Sequence, residues 1–326
     1  MFRAEYAARG PVPQDVIACV ERETPVPQDG EVLLAMLAAP INPSDVLTLT
    51  GQYGMLPPLP AVGGNEGVGR VVALGEGVTG VAVGQTVLLP VGVGTWASHM
   101  VAPSAGLMAL PNGADPLQLA MLMVNPPTAS LLLSEFVALA AGEWVILNAA
   151  NSGVGEYVIQ LAKRRGLRTV SVVRREEAVA ELLALGGDVV LVDGPDLAQR
   201  VAAVTNKAKI RLALDAVGGK ATDRLAQCVA IGGTVVVYGV LSGEACRIAP
   251  GSFVFRDITL KGFWLAFWFR NASPERQREV YGELARLIAV GELSARVHAT
   301  YPLAQIKDAV TAAAAGGRNG KILLVP

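Results

Sequence analysis

Histidine and cysteine, the residues that most often hold zinc, are scarce in this chain of 326 residues, with two of the first and three of the second. Cys19, Cys228 and Cys246 are odd in number and far apart, so they form no disulfide framework and no CxxC spacing, and a reducing compartment suits them. His99 and His298 each lack a Cys or a second His at ligand spacing, whereas zinc asks for three or four converging donors. Charge is scarce too. Asp, Glu, Lys and Arg make up 17% of the chain and the net charge is -1, which leaves no field to draw it to nucleic acid or an anionic membrane. Apolar runs are broken by Gly, Pro or charge well before the ~18 residues of a membrane helix. The opening MFRAEYAARG has neither an apolar signal core nor a long Arg/Ser-rich transit segment. The expectation is a cytoplasmic protein with no metal, no nucleic-acid partner and no membrane span.

Apolar residues, at 52%, and glycines, at 36, are plentiful. They indicate a large core crossed by many tight turns, and the length favours two domains. Residues 1–115 are Pro- and Gly-rich, and EVLLAMLAAPIN, GVGRVVALGEGV and QTVLLPVGVG read as strands between turns. ADPLQLAMLMV changes to a helical period, with Asp115 as N-cap and Pro116 in the first turn. The pair Pro126–Pro127 is expected to stop that helix, and Thr128 to open another. From Trp144 onward strands alternate with helices: WVILNAA, RTVSVV, DVVLVD, IRLALDAV, GTVVVYG and ITLKGFWL. That alternation predicts an α/β fold with a doubly wound parallel sheet. A helix is expected over Pro274–Val290, AAAAGG at 312–317 closes another, and KILLVP is expected to return as a strand to the first domain. The expected division is 1–115 with 271–326 as a β-rich catalytic domain, and 116–270 as a nucleotide-binding domain.

The strongest motif is NAANSGVGEYVIQLA, which follows a strand and opens a helix. Ala150-x-Ser152-x-x-Gly155 is a small-residue variant of GxGxxG, whose small side chains let the backbone approach a pyrophosphate at a helix N-terminus. The end of the next strand reads Val173-Arg174-Arg175. An acid there would favour NAD, whereas two guanidiniums suit the 2′-phosphate of NADPH; the alternative is a solvated helix start. Upstream, Tyr53 sits between Gly51 and Gly54 in GQYG. A phenol can donate a proton at neutral pH, and the glycines permit close approach to a ligand; the alternative is a loop tyrosine packed on the surface. GFWLAFWFR holds five aromatics in nine residues and fits a strand core with a dimer edge, an apolar wall, or both. Residues 261–326 hold nine Lys/Arg against five Asp/Glu, a surplus that suits either a solvated face or an anionic partner.

A β-rich first domain followed by this fingerprint resembles the medium-chain dehydrogenase/reductase superfamily, with a GroES-like catalytic domain and a Rossmann cofactor domain. Zinc enzymes of that superfamily carry a Cys-His pair and a Gly-His-Glu motif. This chain has INPSD (41–45) and GGNEGVG (63–69) instead, with Asn65 in the His position, and it lacks the four-cysteine lobe. It therefore resembles the zinc-free branch, and within that branch the mitochondrial-type 2-enoyl thioester reductases. The blocks that carry this are INPSD, GQYGMLPPLPAVGGNEGVG, GTW, VNPPTA, NSGVG, VVR, VGGK, GGTVVVYG and LKGFWL. The run from Gly51 to Gly69 and KGFWL are specific to the branch.

The resemblance implies NADPH-dependent reduction of the C=C bond of an enoyl thioester of coenzyme A or acyl carrier protein, with Tyr53 as proton donor and no metal. It implies cofactor contacts at Asn125, Asn151, Ser152, Gly153, Val154, Arg174, Arg175, Tyr238, Gly239, Val240, Leu241, Phe263, Trp264, Leu265, Ala266 and Lys321. It implies a substrate pocket at Asn42, Asn65, Trp96, Trp264 and Phe267, and a homodimer through the Rossmann sheet edges. Pro127, Glu156, Tyr157 and Ala266 depart from the usual pattern; only Ala266 bears on a hydrogen bond to cofactor or substrate. The competing expectations are a zinc-free quinone or alkenal reductase and a non-catalytic NADPH-binding protein.

Overall fold

Gly155 and Gly239 show why this chain packs as it does. A Cβ at Gly155 would meet the Ala150 carbonyl oxygen at 2.4 Å, and one at Gly239 would meet that of Ala216 at 2.6 Å. Each glycine, one in the first turn of a helix and one just after a strand, lets the chain run close against neighbouring backbone. The computed structural model describes every residue except Gly316. It divides into two units, Met1–Val124 with Tyr281–Pro326, and Asn125–Val280.

The second unit is built on a six-stranded sheet. Its order is Val189–Val192, Arg168–Val173, Trp144–Leu147, Leu212–Asp215, Thr234–Val237 and Thr259–Gly262. All five pairings are parallel. The chain order therefore reverses beside Trp144–Leu147, and the crevice at the carboxyl ends of the strands there is where such sheets bind nucleotides. The central strands Trp144–Leu147 and Leu212–Asp215 are buried at every residue, as a strand covered by helices on both faces must be. Helix Gly153–Arg164 opens beside the crevice with Ser152 as N-cap, its Oγ accepting the Gly155 amide at 3.2 Å. The last strand, Thr259–Gly262, is exposed along its whole length.

The first unit carries a seven-stranded sheet whose long strand Glu31–Ile41 alternates half-buried and buried residues before becoming wholly buried. That strand pairs with Val68–Leu74, with His99–Pro103 and with the C-terminal strand Lys321–Val325. The last of these is the expected return of KILLVP. A three-stranded sheet of Ala18–Glu21, Phe2–Tyr6 and Ala61–Val62 stands beside it. Helix Ile306–Ala314 packs on the cluster around Ile41, Leu49, Trp96 and Ile322. Of the helix end expected at 312–317, Gly316 lies outside the described residues.

Two local expectations fail. The prolines of VNPPTA do not stop a helix. Helix Asn125–Leu132 contains both of them in its first turn, where a missing amide costs nothing because that amide has no intrahelical partner. ITLKGFWL is a strand only to Gly262, and Leu265–Asn271 is a helix. The aromatic run had masked the change of period.

Candidate functional site

At the crevice of the second unit, Asn151, Ser152, Gly153 and Val154 form the half-buried turn into helix Gly153–Arg164, preceded by Ala149 at φ +46. The first-turn amides of this helix form an anion site by geometry and dipole. Across the reversal point, Asp215 is fully buried and builds the next strand's turn. Its Oδ1 accepts Asn148 Nδ2 at 2.6 Å and the amides of Val217 and Gly218, and its Oδ2 accepts Thr222 Oγ1 at 2.6 Å. Asn148 in turn accepts the Ala216 amide at 2.8 Å. These bonds hold two strand ends at fixed separation on either side of the crevice. Tyr238 follows the strand Thr234–Val237, and burial pushes its phenol up, tempered by Ser152 beside it. Gly239 is half-buried, and Val240 and Leu241 are exposed.

Arg174 and Arg175 lie exposed at the carboxyl end of Arg168–Val173, where a ribose phosphate would be met. Asn125 begins its helix with only 6% exposure, and its Nδ2 is buried without a hydrogen-bond partner. Phe263 stacks edge-on against Phe136, with centroids 5.9 Å apart. Trp264 caps helix Leu265–Asn271, whose Leu265 and Ala266 are half-buried; Phe267 is 62% exposed, and Arg270 lies over the Trp264 and Phe267 rings. A nucleotide fits this crevice: the turn into helix Gly153–Arg164 is only half-buried, and two exposed arginines stand at the carboxyl end of the neighbouring strand.

The first unit holds a different kind of site. Tyr53 is half-buried in a loop that leaves helix Pro43–Thr50 through Gly51, at φ +78. The Tyr53 amide donates to the Leu47 carbonyl at 3.1 Å, which ties the loop back to the helix. The same helix begins with a capping box in which the Asn42 side chain caps the N3 amide and Asp45 Oδ2 accepts the Asn42 amide at 2.7 Å. Asp45 Oδ1 accepts the Asn65 amide at 2.9 Å, and Asn65 Nδ2 lies 3.3 Å from Ser44 Oγ. Glu66, fully buried, accepts Asn42 Nδ2 at 2.6 Å and the Val124 amide at 2.9 Å. The Lys321 ammonium donates to Asn42 Oδ1. Asp45, Glu66 and Lys321 thus form a buried charge cluster around Asn42. Burial pushes both carboxyls well above the usual range, and Lys321 pulls them back.

Asn42, Asn65 and Lys321 therefore share one cluster, while Trp96 lies in the core of that unit. Its ring packs on Gly63 and Gly64, where a Cβ would meet it at 2.2 and 2.6 Å, and its Nε1 donates to the Pro40 carbonyl. A cavity of about 40 Å³ lies among Trp96, Asn65, Asp45 and Tyr6, large enough to hold water. Sequence reasoning missed Asp45, Glu66, Tyr281, Asn148 and Asp215. The spacing Asn42-Pro-Ser-Asp45 is a legible capping box; the other four give no sequence signal, because their partners are remote in the chain. Among the described residues, no three His, Cys, Asp or Glu side chains converge as a metal site would require.

The zinc-binding dehydrogenase family matches residues 153–285, and the alcohol dehydrogenase GroES-like domain matches residues 28–112. The mitochondrial enoyl-[acyl-carrier-protein] reductase of Rattus norvegicus is 39% identical over 306 residues, covering 92% of this chain and 82% of the relative. The structure of Etr1p with NADP and crotonyl-CoA superposes with a TM-score of 0.89 at 26% identity, covering 100% of this chain and 99% of that one. A Bacillus thuringiensis protein provisionally named an NADPH:quinone reductase gives a TM-score of 0.91 at 30% identity, over 100% of this chain and 98% of that one.

Proposed function

The chain belongs to the family of the enoyl-[acyl-carrier-protein] reductases, within the medium-chain dehydrogenase/reductases, and on that premise we propose that it reduces the C=C bond of a trans-2-enoyl thioester with NADPH. The observation that carries this reading is the 39% identity running through 92% of the chain. Bound NADPH supplies a hydride for the β-carbon. The Tyr53 phenol gives its proton to the α-carbon, so that one hydride and one proton account for the saturated product. The amides of the turn at Gly153 to Gly155 hold the pyrophosphate, Arg174 and Arg175 grip the 2′-phosphate, and Asn125 and Tyr238 offer polar groups toward the nicotinamide half. Trp264 and Phe267 offer apolar surface to the acyl chain. Asn42 and Asn65, fixed by Glu66 and Asp45, shape the polar end of the substrate site without a metal.

The second reading is quinone reduction, favoured by the likeness to the Bacillus thuringiensis protein. NADPH consumption separates the two. The expected result is turnover with crotonyl-CoA and longer enoyl thioesters, of coenzyme A or acyl carrier protein. Consumption with simple quinones and none with any enoyl thioester would reject the proposal. Tyr53→Phe is expected to lower kcat about 100-fold, within the usual range for losing a general acid, while NADPH affinity stays unchanged.

Among the described residues, no helix is long and apolar enough to cross a membrane. The three cysteines are free thiols, which supports the cytoplasm as the location. A homodimer through the sheet edge Thr259–Gly262 is supported by the exposure of that strand and of Phe255 beside it, at 82%. The Candida tropicalis Etr1p is described as a heterodimer with Etr2p.

A further inference from the structure

Two side chains outside the nucleotide motif and outside the Tyr53 loop grip the chain where it passes out of the first unit. Glu66 Oε2 accepts the Val124 amide at 2.9 Å. The Tyr281 hydroxyl, on a ring only 1% exposed, donates to the Met123 carbonyl at 3.0 Å. Val124 is the last residue of the first unit in this segment, and Asn125 is the first of the second. Asn125 is 6% exposed, and its Nδ2 is a buried donor with no partner. A buried amide donor of this kind is unfavourable unless something accepts it, which points to a bound ligand as its acceptor. We propose that Glu66 and Tyr281 are positioning residues that fix the Met123–Val124 peptide and thereby aim the Asn125 side chain at the cofactor. The inference rests on the NADPH reading above.

The chemistry explains why residue 66 is an acid. Glu66 must accept two donors at once, Asn42 Nδ2 on Oε1 and the Val124 amide on Oε2. A glutamine there has one acceptor oxygen and turns a pair of N–H bonds toward the other donor. If Asn42 flipped to relieve that clash, its amide nitrogen would face the Lys321 ammonium, which now donates to Asn42 Oδ1. The repair is blocked and the Val124 anchor loosens. The titratable groups that face Glu66 are Lys321, Asp45 and Tyr281, and of these only Lys321 brings a positive charge.

The test is a double-mutant cycle on NADPH affinity, read by fluorescence titration without substrate. Asn125→Ala is expected to weaken binding about tenfold, the scale of one hydrogen bond. Glu66→Gln and Tyr281→Phe are each expected to weaken it several-fold, with no further loss when either is added to Asn125→Ala. Glu5→Gln, in the same unit but ion-paired with Arg3 and Arg22 and outside this cluster, keeps wild-type NADPH affinity. Additive losses in the double variants overturn the inference, as does full affinity in Glu66→Gln and Tyr281→Phe beside a weakened Asn125→Ala. If the wild type itself binds no NADPH, the cofactor reading falls and the inference with it. Should Glu66→Gln not fold, Tyr281→Phe, which removes one hydroxyl from a packed ring, completes the cycle alone.

Discussion

Arg174 and Arg175 were readable as a pair from the sequence, because cofactor preference depends on what stands at one strand end. The structure puts both at the carboxyl end of Arg168–Val173, exposed to solvent. Replacing both with Ala should lower the kcat/KM ratio for NADPH over NADH by about 10- to 100-fold, since a 2′-phosphate loses two charge-assisted partners while NADH loses none. An unchanged ratio would assign the preference elsewhere. Tyr53 stands out in the sequence because its setting between two glycines is local. Glu66 does not. A glutamate between Asn65 and Gly67 reads as a solvated turn residue, and only burial against Asn42 and Val124 makes it an anchor.

The helix Pro43–Thr50 was not among the expected elements, although its capping box stands in INPSD. Asp45 closes that box and also holds the Asn65 amide, so one carboxylate joins a helix start to the turn that carries Asn65. Burial pushes the Asp45 carboxyl up to about 7, against the pull of the Asn42 and Asn65 amides and Lys321; burial shifts Glu66 the same way. The folded state then holds these protons more tightly than the unfolded chain, whose carboxyls titrate near 4. Stability from this cluster is therefore highest at low pH, is lost as pH rises from about 4 to about 7, and stays lost above that. The melting midpoint is expected to be higher at about pH 6 than at about pH 8. Asp45→Asn should flatten that difference while lowering the midpoint at about pH 6. A midpoint that climbs toward about pH 8, unchanged by Asp45→Asn, would refute the assignment. The other misread elements have two causes. The first turn of a helix tolerates Pro126 and Pro127, and an aromatic run hides where Thr259–Gly262 ends and Leu265–Asn271 begins.

At the scale of the molecule, the parallel sheet ends in a strand that, among the described residues, has one edge unpaired and all four residues exposed. Val254 and Phe255, 73% and 82% exposed, lie close before it in the chain. Light scattering should give twice the monomer mass, and Leu260→Glu, which sets a charge on that edge, should give the monomer. A wild-type monomer, or a Leu260→Glu dimer, would rule this edge out as the interface. Composition, strand–helix alternation and the fingerprint after WVIL determined the fold class and the nucleotide crevice, because both depend on periodicity or on neighbours a few residues away. Only the tertiary structure decided which polar groups lose their water and which partners replace it. Glu66 meets Asn42 across 24 residues of sequence and Val124 across 58, and Lys321 meets Asn42 across 279. Desolvation depends on what folding packs around a group, and no local pattern encodes neighbours that far apart.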